Sequence, residues 1–444
     1  MRRMHINTMI YGLGSHISAW RLPEIDPLAV TKLGYWQNLA QSAEKFRFDA
    51  IFLGEILALH HESPAEIIGS LDPILVLSAI ASVTQSIGLI GTSSTTYDHP
   101  FHIARRFASL DHISNGRAGW NIVTSSTLPE AKNFGRDVLA PHEERYARAK
   151  DVVEAASYLW SSWKPNARLA DKESGVYFQA EAVEKANYRG HYIRSSGPLT
   201  VPPSPQGHPI LTQGGISNYG RDFASRYADI SFTVQCHLDD AQDFYKDIKQ
   251  RAVQSGRGQG KILVFPGLVP VIADTYSAAE QKIARLNDLA PANFAWNELF
   301  KILGFDLSQY NLSDPLPTCV LDKAEDPQTP GRAKLLLNAA KRNNYSLQEF
   351  KARFLCSRGH LLLMGPPNKI ADDMQKWFDE EAADGFNVIF PILPNELDLF
   401  GKTVIPILEE RKLRTPPIAG ETLRQRYNLP DYELLKAASS VILI

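Results

Sequence analysis

Short apolar runs alternate with longer segments of helical periodicity along most of this chain. Eight of these runs have the length and the continuous apolar character of parallel strands that are covered on both faces. They span residues 5–10, 49–55, 87–95, 116–126, 209–215, 229–234, 261–273 and 386–393. The alternation predicts β/α units, and eight units in one chain favour a closed α/β barrel, the TIM (β/α)8 fold, over an open doubly wound sheet.

The segments between the apolar runs carry apolar residues at helical spacing. Leu33, Trp36 and Ala40, for example, recur three and four positions apart. Helices are predicted over residues 32–48, 73–84, 99–114, 141–163, 218–228 and 368–385, and from about residue 239. We expect Asn368 to cap the helix of residues 368–385 and Gly385 to terminate it.

The spacing of these units is uneven, which indicates inserted segments. Two insertions are predicted, at about residues 165–205 and 290–355, and "NLSDPLPT" and "EDPQTPG" indicate loops within the second. Segments that follow barrel strands lie on the active-site face, so we expect these insertions to form lids and substrate walls. Residues 1–444 are interpreted as a single barrel domain, whose last part, about 411–444, is expected to form a wrapping or dimer-contact arm.

The charge of the chain favours small-molecule chemistry. There are 47 Lys and Arg against 49 Asp and Glu, and the net charge of −2 provides no long-range attraction for nucleic acid or an anionic membrane. Neither a signal peptide nor an apolar run of membrane-spanning length is predicted. Cys236, Cys319 and Cys356 lack metal-site spacing and are typical of reduced thiols. We therefore expect a cytoplasmic protein without a structural zinc site.

Polar side chains interrupt or end two of the predicted strands. Asn121 lies within the fourth strand, and if it faces inward its amide needs partners, because an unsatisfied buried polar group costs roughly 1–3 kcal/mol. Neighbouring backbone or a bound ligand would satisfy it. The third strand ends in the hydroxyl run 92–96. Two interpretations are open for this run. Half of its side chains point into the barrel mouth, or the run ends the strand and precedes a helix that Asp98 caps.

Two further stretches suit an anionic ligand. In "LTQGGIS", glycines permit close backbone approach, and Ser217 stands where a helix begins and free N–H groups can bind phosphate. A turn with Ser217 as the helix cap explains the same residues. His142 and Tyr146, four positions apart, share a helix face near its start and either reach an anion or pack.

Four histidines occur in close pairs along the chain. They are His60, His61, His99 and His102. Neither pair has a third ligand at a suitable spacing, so no metal site is expected.

Together, several segments resemble the luciferase-like flavin monooxygenases of the nitrilotriacetate and dibenzothiophene-sulfone monooxygenase group. The resemblance rests on "FDAIFLGE", "TSSTTYDHPFHIARRFASLDHISNGRAGWNIVTS", "KNFGRD", "HEERY", "SPQGHPILTQGGIS", "AADGF" and "ETLRQRYNL". It implies a two-component oxidoreductase with a TIM-like barrel of bacterial luciferase type. Reduced FMN would come from a separate NAD(P)H-dependent flavin reductase, and O2 would serve to oxygenate a small organic substrate, often with C–S or C–N cleavage. We also expect a homodimer or homotetramer.

The resemblance also implies roles for individual residues around the flavin ring. It places the ring near Glu55, Thr92 and Ser94, and makes His16 and Asn121 the catalytic candidates, with His16 near the reacting face. Glu55 stands where the family usually has Asp, in "FLGE" instead of "FLAD". The longer side chain shifts or removes a contact to the isoalloxazine.

The same resemblance implies contacts along the rest of the cofactor. Asn121 and His142 would hold the polar edge of the ring or the ribityl chain. Tyr146 and Ser217 would hold the phosphate. Gly214 replaces the family's Ala in "QGG", which preserves or eases the approach of the backbone.

Alternatives remain at this point. The chain would also suit a non-catalytic flavin-binding barrel subunit of a heteromeric complex, or a barrel that uses a deazaflavin. The substrate is open among aminopolycarboxylates, S-substituted cysteine derivatives, sulfones, sulfonates and long alkanes. Arg189, Arg194 and Arg353 would suit a carboxylate in a substrate wall, or are solvated surface charges.

Overall fold

The computed structural model describes residues 2–59, 71–258, 261–326 and 329–430. Nearly all of its strands belong to one sheet, and the rest form a short hairpin. The strands are β1 (His5–Ile10), β2 (Ala50–Leu53), β3 (Gly88–Ser94), β4 (Ala118–Val123), β5 (Tyr188–Arg189), β6 (Arg194–Ser195), β7 (Ile210–Gly214), β8 (Ile230–Thr233), β9 (Leu263–Ile272), β10 (Leu361–Gly365) and β11 (Gly385–Ile389).

Eight parallel strands close into a barrel. They pair in the order β1, β2, β3, β4, β7, β8, β9 and β11, and β11 pairs again with β1. Each of the eight apolar runs overlaps one of these strands, so the TIM (β/α)8 fold predicted from the sequence is confirmed.

A ninth strand in this sheet, β10, was not predicted. It pairs in parallel with residues 268–272 of β9, above the part of β9 that pairs with β8. β9 is ten residues long and β8 only four, so the upper part of β9 extends beyond the end of β8. The five-residue run of β10 follows the long second insertion directly, where the regular spacing of units is lost.

Helices surround the barrel and fill the second insertion. They are α1 (Leu33–Lys45), α2 (Pro73–Ala81), α3 (Pro100–Ile113), α4 (Leu128–Asn133), α5 (His142–Trp160), α6 (Asn218–Tyr227), α7 (Leu238–Gln254), α8 (Tyr276–Asp288), α9 (Phe294–Leu303), α10 (Thr318–Leu321), α11 (Gly331–Asn343), α12 (Leu347–Ser357), α13 (Pro367–Asp379), α14 (Asn395–Thr403), α15 (Ile405–Glu410) and α16 (Leu423–Arg426). Among the helices described, none is both long enough and apolar enough to cross a membrane.

Two details of α13 correct the prediction. The cap residue is Pro366, and Asn368 lies inside the first turn, because Pro367 fixes the backbone at the first helical position. The helix ends at Asp379 instead of continuing to Gly385. Gly385 is the first residue of β11, where a side chain would collide with the backbone oxygen of His5.

Alternation along the strands separates the inside of the barrel from its helix-covered surface. Met9, Phe52 and Ile210 belong to the apolar cluster inside the barrel. Trp120 belongs to a cluster formed with residues of α3 and α5 on the outside. Its neighbour Asn121 therefore faces inward.

The described part of the C-terminal arm closes the amino-terminal end of the barrel. Leu423 and Tyr427 belong to the interior cluster. The hydroxyl of Tyr427 donates a hydrogen bond to Oδ1 of Asn7 at 2.7 Å, and the backbone N–H of Leu423 donates to the oxygen of Gly116 at 2.8 Å. Residues 411–430 thus wrap around their own barrel, and residues 431–444 lie outside the described part.

The two insertions have different internal structure. Residues 161–209 are mostly irregular and contain the β5–β6 hairpin. Helices α9 to α12 follow β9 and α8, and their apolar side chains, including Leu299, Leu336 and Phe350, form a core of their own. Part of "EDPQTPG", residues 327–328, lies outside the described part. The second insertion is therefore a packed helical unit between β9 and β10.

Candidate active site

A row of polar side chains crosses three adjacent strands inside the barrel mouth. The register places Thr92 of β3, Asn121 of β4 and Thr212 of β7 side by side. Nδ2 of Asn121 donates to Oγ1 of Thr92 at 2.9 Å, and the Thr212 hydroxyl donates to Oδ1 of Asn121 at 3.2 Å. The Thr92 hydroxyl in turn donates to the oxygen of Leu53 at 2.8 Å.

The partners of Asn121 are thus side-chain hydroxyls, whereas the sequence suggested backbone or a ligand. A primary amide has two N–H donors and two acceptor positions. The two bonds to Thr92 and Thr212 use one donor and one acceptor. The amide therefore keeps capacity for one further donor and one further acceptor contact to a ligand.

The hydroxyl run of β3 divides between the two faces of the sheet. Ser94, on the face of Thr92, has its Oγ 2.8 Å from the Oγ of Ser125. The hydroxyl of Ser93, on the other face, donates to Asp98 at 3.1 Å. The predicted inward direction of half of the run is confirmed, while all five of its hydroxyls already form hydrogen bonds within the protein.

The cap predicted for the next helix was wrong. His99, not Asp98, caps α3, and its Nδ1 accepts from the backbone N–H of Phe101 at 3.2 Å. Asp98 instead accepts from the backbone N–H of His99 at 2.8 Å and pairs with Arg106. The Asp98 carboxylate is thus held by the cap residue and by Arg106, and it does not itself accept from the first-turn N–H groups of α3.

Glu55 lies directly beyond β2, beside the end of β3. Burial raises its pKa to about 7, and the negative charges of Asp72 and Asp98 add to this shift. The opposing charge of Arg106 lowers the pKa less. Glu55 is therefore a carboxyl group that gains and loses a proton near neutral pH.

Aromatic rings meet at the start of α5. His142 is exposed, and its ring centroid lies 4.9 Å from that of Tyr146 and 5.3 Å from that of Tyr219. Partial desolvation lowers the pKa of His142, and the positive charge of Arg145 lowers it further. Burial raises the pKa of Tyr146, whose hydroxyl stays protonated.

Ser217 and Tyr146 meet at the start of α6. Ser217 caps the helix, and its Oγ accepts from the N–H of Gly220 at 3.1 Å. The Tyr146 hydroxyl accepts from Nε2 of Gln213 at 3.3 Å and also interacts with Ser217. A Cβ at Gly215 or at Gly220 would lie only 3.2 or 3.1 Å from the Tyr146 oxygen. We call the space between Tyr146, Gly215, Ser217 and Gly220 the glycine nook.

The residues of the glycine nook fit a phosphate group. The first turn of α6 carries no acidic residue, and its free N–H groups favour an anion. The hydroxyls of Tyr146 and Ser217 are available as donors, so a phosphomonoester suits this place.

His16 is fully buried, and its hydrogen bonds join it to Asn287 and Ser18 instead of to these groups. Its Nδ1 accepts from the backbone N–H of Ser18 at 3.1 Å, so Nε2 carries the proton and donates to Oδ1 of Asn287 at 3.0 Å. Burial lowers the pKa of His16 to about 4; the Asn287 hydrogen bond opposes this, and the charge of Arg358 lowers the pKa further. With both nitrogens engaged, the ring positions the loop after β1 against α8.

The structure therefore brings most of the predicted residues together in two adjacent groups. The first group lies at or near the carboxyl ends of β2 to β4 and contains Glu55, Thr92, Ser94 and Asn121. The second group lies at the starts of α5 and α6 and contains His142, Tyr146 and Ser217. Arg145 joins the groups, because its Nη1 donates to the oxygen of Ser125 at 2.7 Å. His16 hydrogen-bonds to neither group in the described part of the chain.

The arginines suggested for a substrate wall lie elsewhere. Arg189 and Arg194 are exposed and pair across the small β5–β6 hairpin. The guanidinium of Arg353 lies 4.7 Å from the ring centroid of Tyr345. Sequence reasoning missed Arg332 and Arg358, which do lie at the mouth, because the helical pattern of the second insertion was not resolved.

Among the described residues, no group of three or more His, Cys, Asp or Glu side chains is arranged to hold a metal ion. The three cysteines are free. His60 and His61 lie outside the described residues.

A closed parallel barrel with a polar mouth at the carboxyl ends of its strands defines the class of TIM-barrel enzymes. Residues 13–381 match the family described as luciferase-like monooxygenase, and the chain belongs to that family. The N-acetyl-S-(2-succino)cysteine monooxygenase of Bacillus subtilis (strain 168) is 41% identical over 429 residues, which cover 96% of this chain and 97% of the relative. Nitrilotriacetate monooxygenase component A of Aminobacter aminovorans is 37% identical over 441 residues, 96% of this chain and 97% of the relative.

A solved structure supports the assignment of a flavin cofactor. The crystal structure of a riboflavin lyase with modified FMN and riboflavin aligns with a TM-score of 0.83 and 28% identity over 97% of both chains. The protein is thus a flavin-dependent monooxygenase.

Proposed function

We propose that this protein is a two-component monooxygenase that takes reduced FMN from a separate NAD(P)H-dependent flavin reductase. It uses O2 to oxygenate a small organic substrate, with cleavage of a C–S or C–N bond where the substrate offers one. The observation that carries the proposal is the glycine nook, where two glycines, two hydroxyls and the start of α6 meet, beside the row of Thr92, Asn121 and Thr212.

Different residues of the chain bind different parts of the cofactor. Tyr146 and Ser217 donate hydrogen bonds to the phosphate in the glycine nook. Asn121 and His142 bind the ribityl chain or the polar edge of the ring. Thr92 and Ser94 would lie along the ring. When bound, reduced FMN supplies the electrons that activate dioxygen.

Glu55 holds a proton at the edge of this site. Its raised pKa makes it partly protonated near neutrality, so it donates a hydrogen bond in one state and accepts one in the other. An Asp would place its carboxyl closer to the backbone. Glu55 therefore extends the proton-carrying group further into the mouth than the family's usual residue does.

The second insertion supplies the cover. Helices α9 to α12 have a core of their own and are inserted between β9 and β10 at the mouth. A packed helical cover excludes water from a reaction in which activated oxygen would otherwise be lost.

The test measures turnover and binding separately. Pure protein with a flavin reductase, NADH and oxygen is expected to oxidise at least one compound in a panel of thioethers, sulfones, sulfonates, amines and alkanes, with product measured by mass spectrometry. Omitting the reductase, the oxygen or this protein should abolish product. Failure to bind FMN in either redox state would overturn the proposal.

We also propose that the enzyme is cytoplasmic, which the three free cysteines support, and that it forms a homodimer or homotetramer. Light scattering at several concentrations tests the oligomeric state. The names of the relatives differ in substrate, so they do not decide the substrate of this chain.

A further inference from the structure

Two arginines lie together at the barrel mouth without a carboxylate partner. Arg332 is in the first turn of α11, and Arg358 directly follows α12. Nη2 of Arg332 donates to the backbone oxygen of Arg358 at 2.9 Å. Within the described ranges, neither guanidinium forms a salt bridge, whereas Arg342 on the same helix pairs with Asp240 at 2.7 Å.

The position of Arg358 is fixed by the chain that follows it. His360, two residues later, stacks on Phe232 of β8, with the ring centroids 5.7 Å apart and the planes at 18°. The same ring fills the space that a side chain at Gly267 of β9 would need. Arg358 therefore stands just above the carboxyl end of β8.

The position of Arg332 is fixed from the other side. A Cβ on its neighbour Gly331 would lie 3.1 Å from Cγ1 of Ile216, the residue before the helix cap Ser217. The start of α11 thus lies against the loop that forms the glycine nook. Arg332 lies between this loop and Arg358, on the open side of the mouth.

The positive charges of the two arginines affect the pKa values of residues on the facing side of the mouth. Both act on Tyr11, directly after β1, and Arg358 acts on His16. The pKa of Arg332 is lowered, first by burial and then by the charge of Arg358. Arg332 and Tyr11 are nevertheless accessible to solvent, as expected for side chains that line a concave site.

No nearby carboxylate balances this positive charge in the described part of the chain. Glu298 raises the pKa of Arg332 slightly, but its own carboxylate bonds to Lys301 at 2.7 Å. Two guanidinium groups in a partly desolvated site repel each other, and an anion between them removes that cost.

We propose that Arg332 and Arg358 bind the carboxylate groups of the substrate, which is an organic dianion and not an alkane or another uncharged compound. The planar guanidinium matches a carboxylate through two parallel N–H donors, so two arginines suit two carboxylates. Tyr11 adds a hydroxyl donor on the facing side. This inference rests on the proposed function, since it assigns a substrate class to the same mouth.

One other anion competes for this assignment. The phosphate of FMN binds close by if the glycine nook has the role proposed for it, and Arg332 is near the nook. The experiment therefore measures FMN and carboxylate binding in the same variants.

The probes are succinate and iminodiacetate, with their diamides as uncharged controls, and binding is measured by calorimetry at fixed ionic strength. Arg332→Gln and Arg358→Gln are each expected to weaken binding of both dianions about tenfold. Lys334→Gln removes a positive charge from the same helix and should leave binding within about twofold. The diamides should not bind to any of the proteins.

FMN binding by the same variants shows that the barrel is folded and identifies the anion. Unchanged FMN affinity with weakened dianion binding supports the inference. Dianion binding that is absent, or equal in the parent and the arginine variants, overturns it even if the enzyme oxygenates another compound. Weakened FMN affinity with unchanged dianion binding assigns the arginines to the phosphate and also overturns it. Dianion binding as expected without any oxygenation contradicts the proposed function alone.

Discussion

Nδ2 of Asn121 donates a hydrogen bond to Oγ1 of Thr92 at 2.9 Å, and this contact joins β4 to β3 inside the barrel mouth. The amide is buried, and Thr212 is bonded to its other end. Asn121 thus holds three strands together and still has one donor and one acceptor position for a ligand.

Replacing Asn121 with Ala should therefore affect both stability and cofactor binding. The hydroxyls of Thr92 and Thr212 lose a buried partner, which lowers the free energy of unfolding by roughly 1–3 kcal/mol. We expect FMN affinity to fall about tenfold or more, because a buried hydrogen bond to the cofactor is lost. Urea unfolding and FMN titration measure the two effects.

Ser93→Ala provides the matched control for Asn121→Ala. Ser93 lies on the other face of β3, where its hydroxyl bonds to Asp98. It should leave FMN affinity within about twofold, with at most about 1 kcal/mol of lost stability. Equal FMN affinity in the parent and in Asn121→Ala would contradict the assignment of Asn121 to the cofactor.

The glycine nook gives a prediction that separates FMN from riboflavin. Gly220 lies within α6, where Ala would normally stabilise the helix by about 0.5–1 kcal/mol. Its Cβ would however lie 3.1 Å from both the Tyr146 oxygen and Cα of Gly215. Gly220→Ala should therefore weaken FMN binding about tenfold or more, while riboflavin, which lacks the phosphate, binds as to the parent.

Gly34→Ala is the control for this substitution. Gly34 is also helical, and a Cβ there meets nothing within 4 Å. It should leave both flavin affinities unchanged and the stability equal or higher. If riboflavin and FMN lose the same affinity in Gly220→Ala, the nook does not bind the phosphate.

The barrel could be predicted from the sequence because its strands are covered on both faces. Phe52 lies inside the barrel, and Ile51 contributes to the core outside it, so the segment appears as one apolar run. β10 could not be predicted in the same way. The position of β10 depends on how far β9 extends beyond β8. No local sequence pattern indicates that difference in strand length.

Site residues could be predicted only where the alternation of side chains within a single strand sets their direction. The inward direction of Thr92 and Asn121 follows from strand alternation. The contact of Asn121 with Thr212 could not be predicted, because closure of the barrel sets the register of β4 against β7. The positions of Arg332 and Arg358 depend on how α11 and α12 pack on their own core, which the sequence pattern alone did not reveal.

Glu55 should make stability depend on pH near neutrality. Its pKa in the folded protein is about 7, above the ordinary value of 4.5, so folding favours the protonated form. Its contribution to stability is full below about pH 4.5 and is lost as pH rises to about 7. Glu55→Gln should therefore be more stable than the parent at pH 8 by about 1–3 kcal/mol, since one pKa unit corresponds to about 1.4 kcal/mol and solvent screens part of it.

Urea unfolding of the parent and of Glu55→Gln between pH 5 and pH 8.5 measures this difference. Glu325→Gln, which removes an exposed carboxylate, should show a constant difference from the parent over the same range. A constant difference for Glu55→Gln as well would mean that Glu55 is ionised throughout and carries no proton at the mouth.

His16 should produce the opposite pH dependence. Its pKa in the folded protein is about 4, below the ordinary value of 6.5, so folding favours the neutral ring. As pH falls from about 6.5 to about 4, the unfolded chain takes up a proton that the folded protein does not, and stability decreases. His16→Gln, which has no such proton, should lose less stability than the parent over this interval.

Asn287→Ala distinguishes a positioning role of His16 from a role in proton transfer. It removes the acceptor for Nε2 of His16 and leaves the bond from Ser18 to Nδ1 in place. If His16 positions the loop against α8, both variants should unfold at lower urea concentrations than the parent at pH 7.5. Their turnover should also decrease by similar factors, without a change in the pH profile of kcat. A kinetic pKa that disappears in His16→Gln but remains in Asn287→Ala would instead assign His16 to proton transfer.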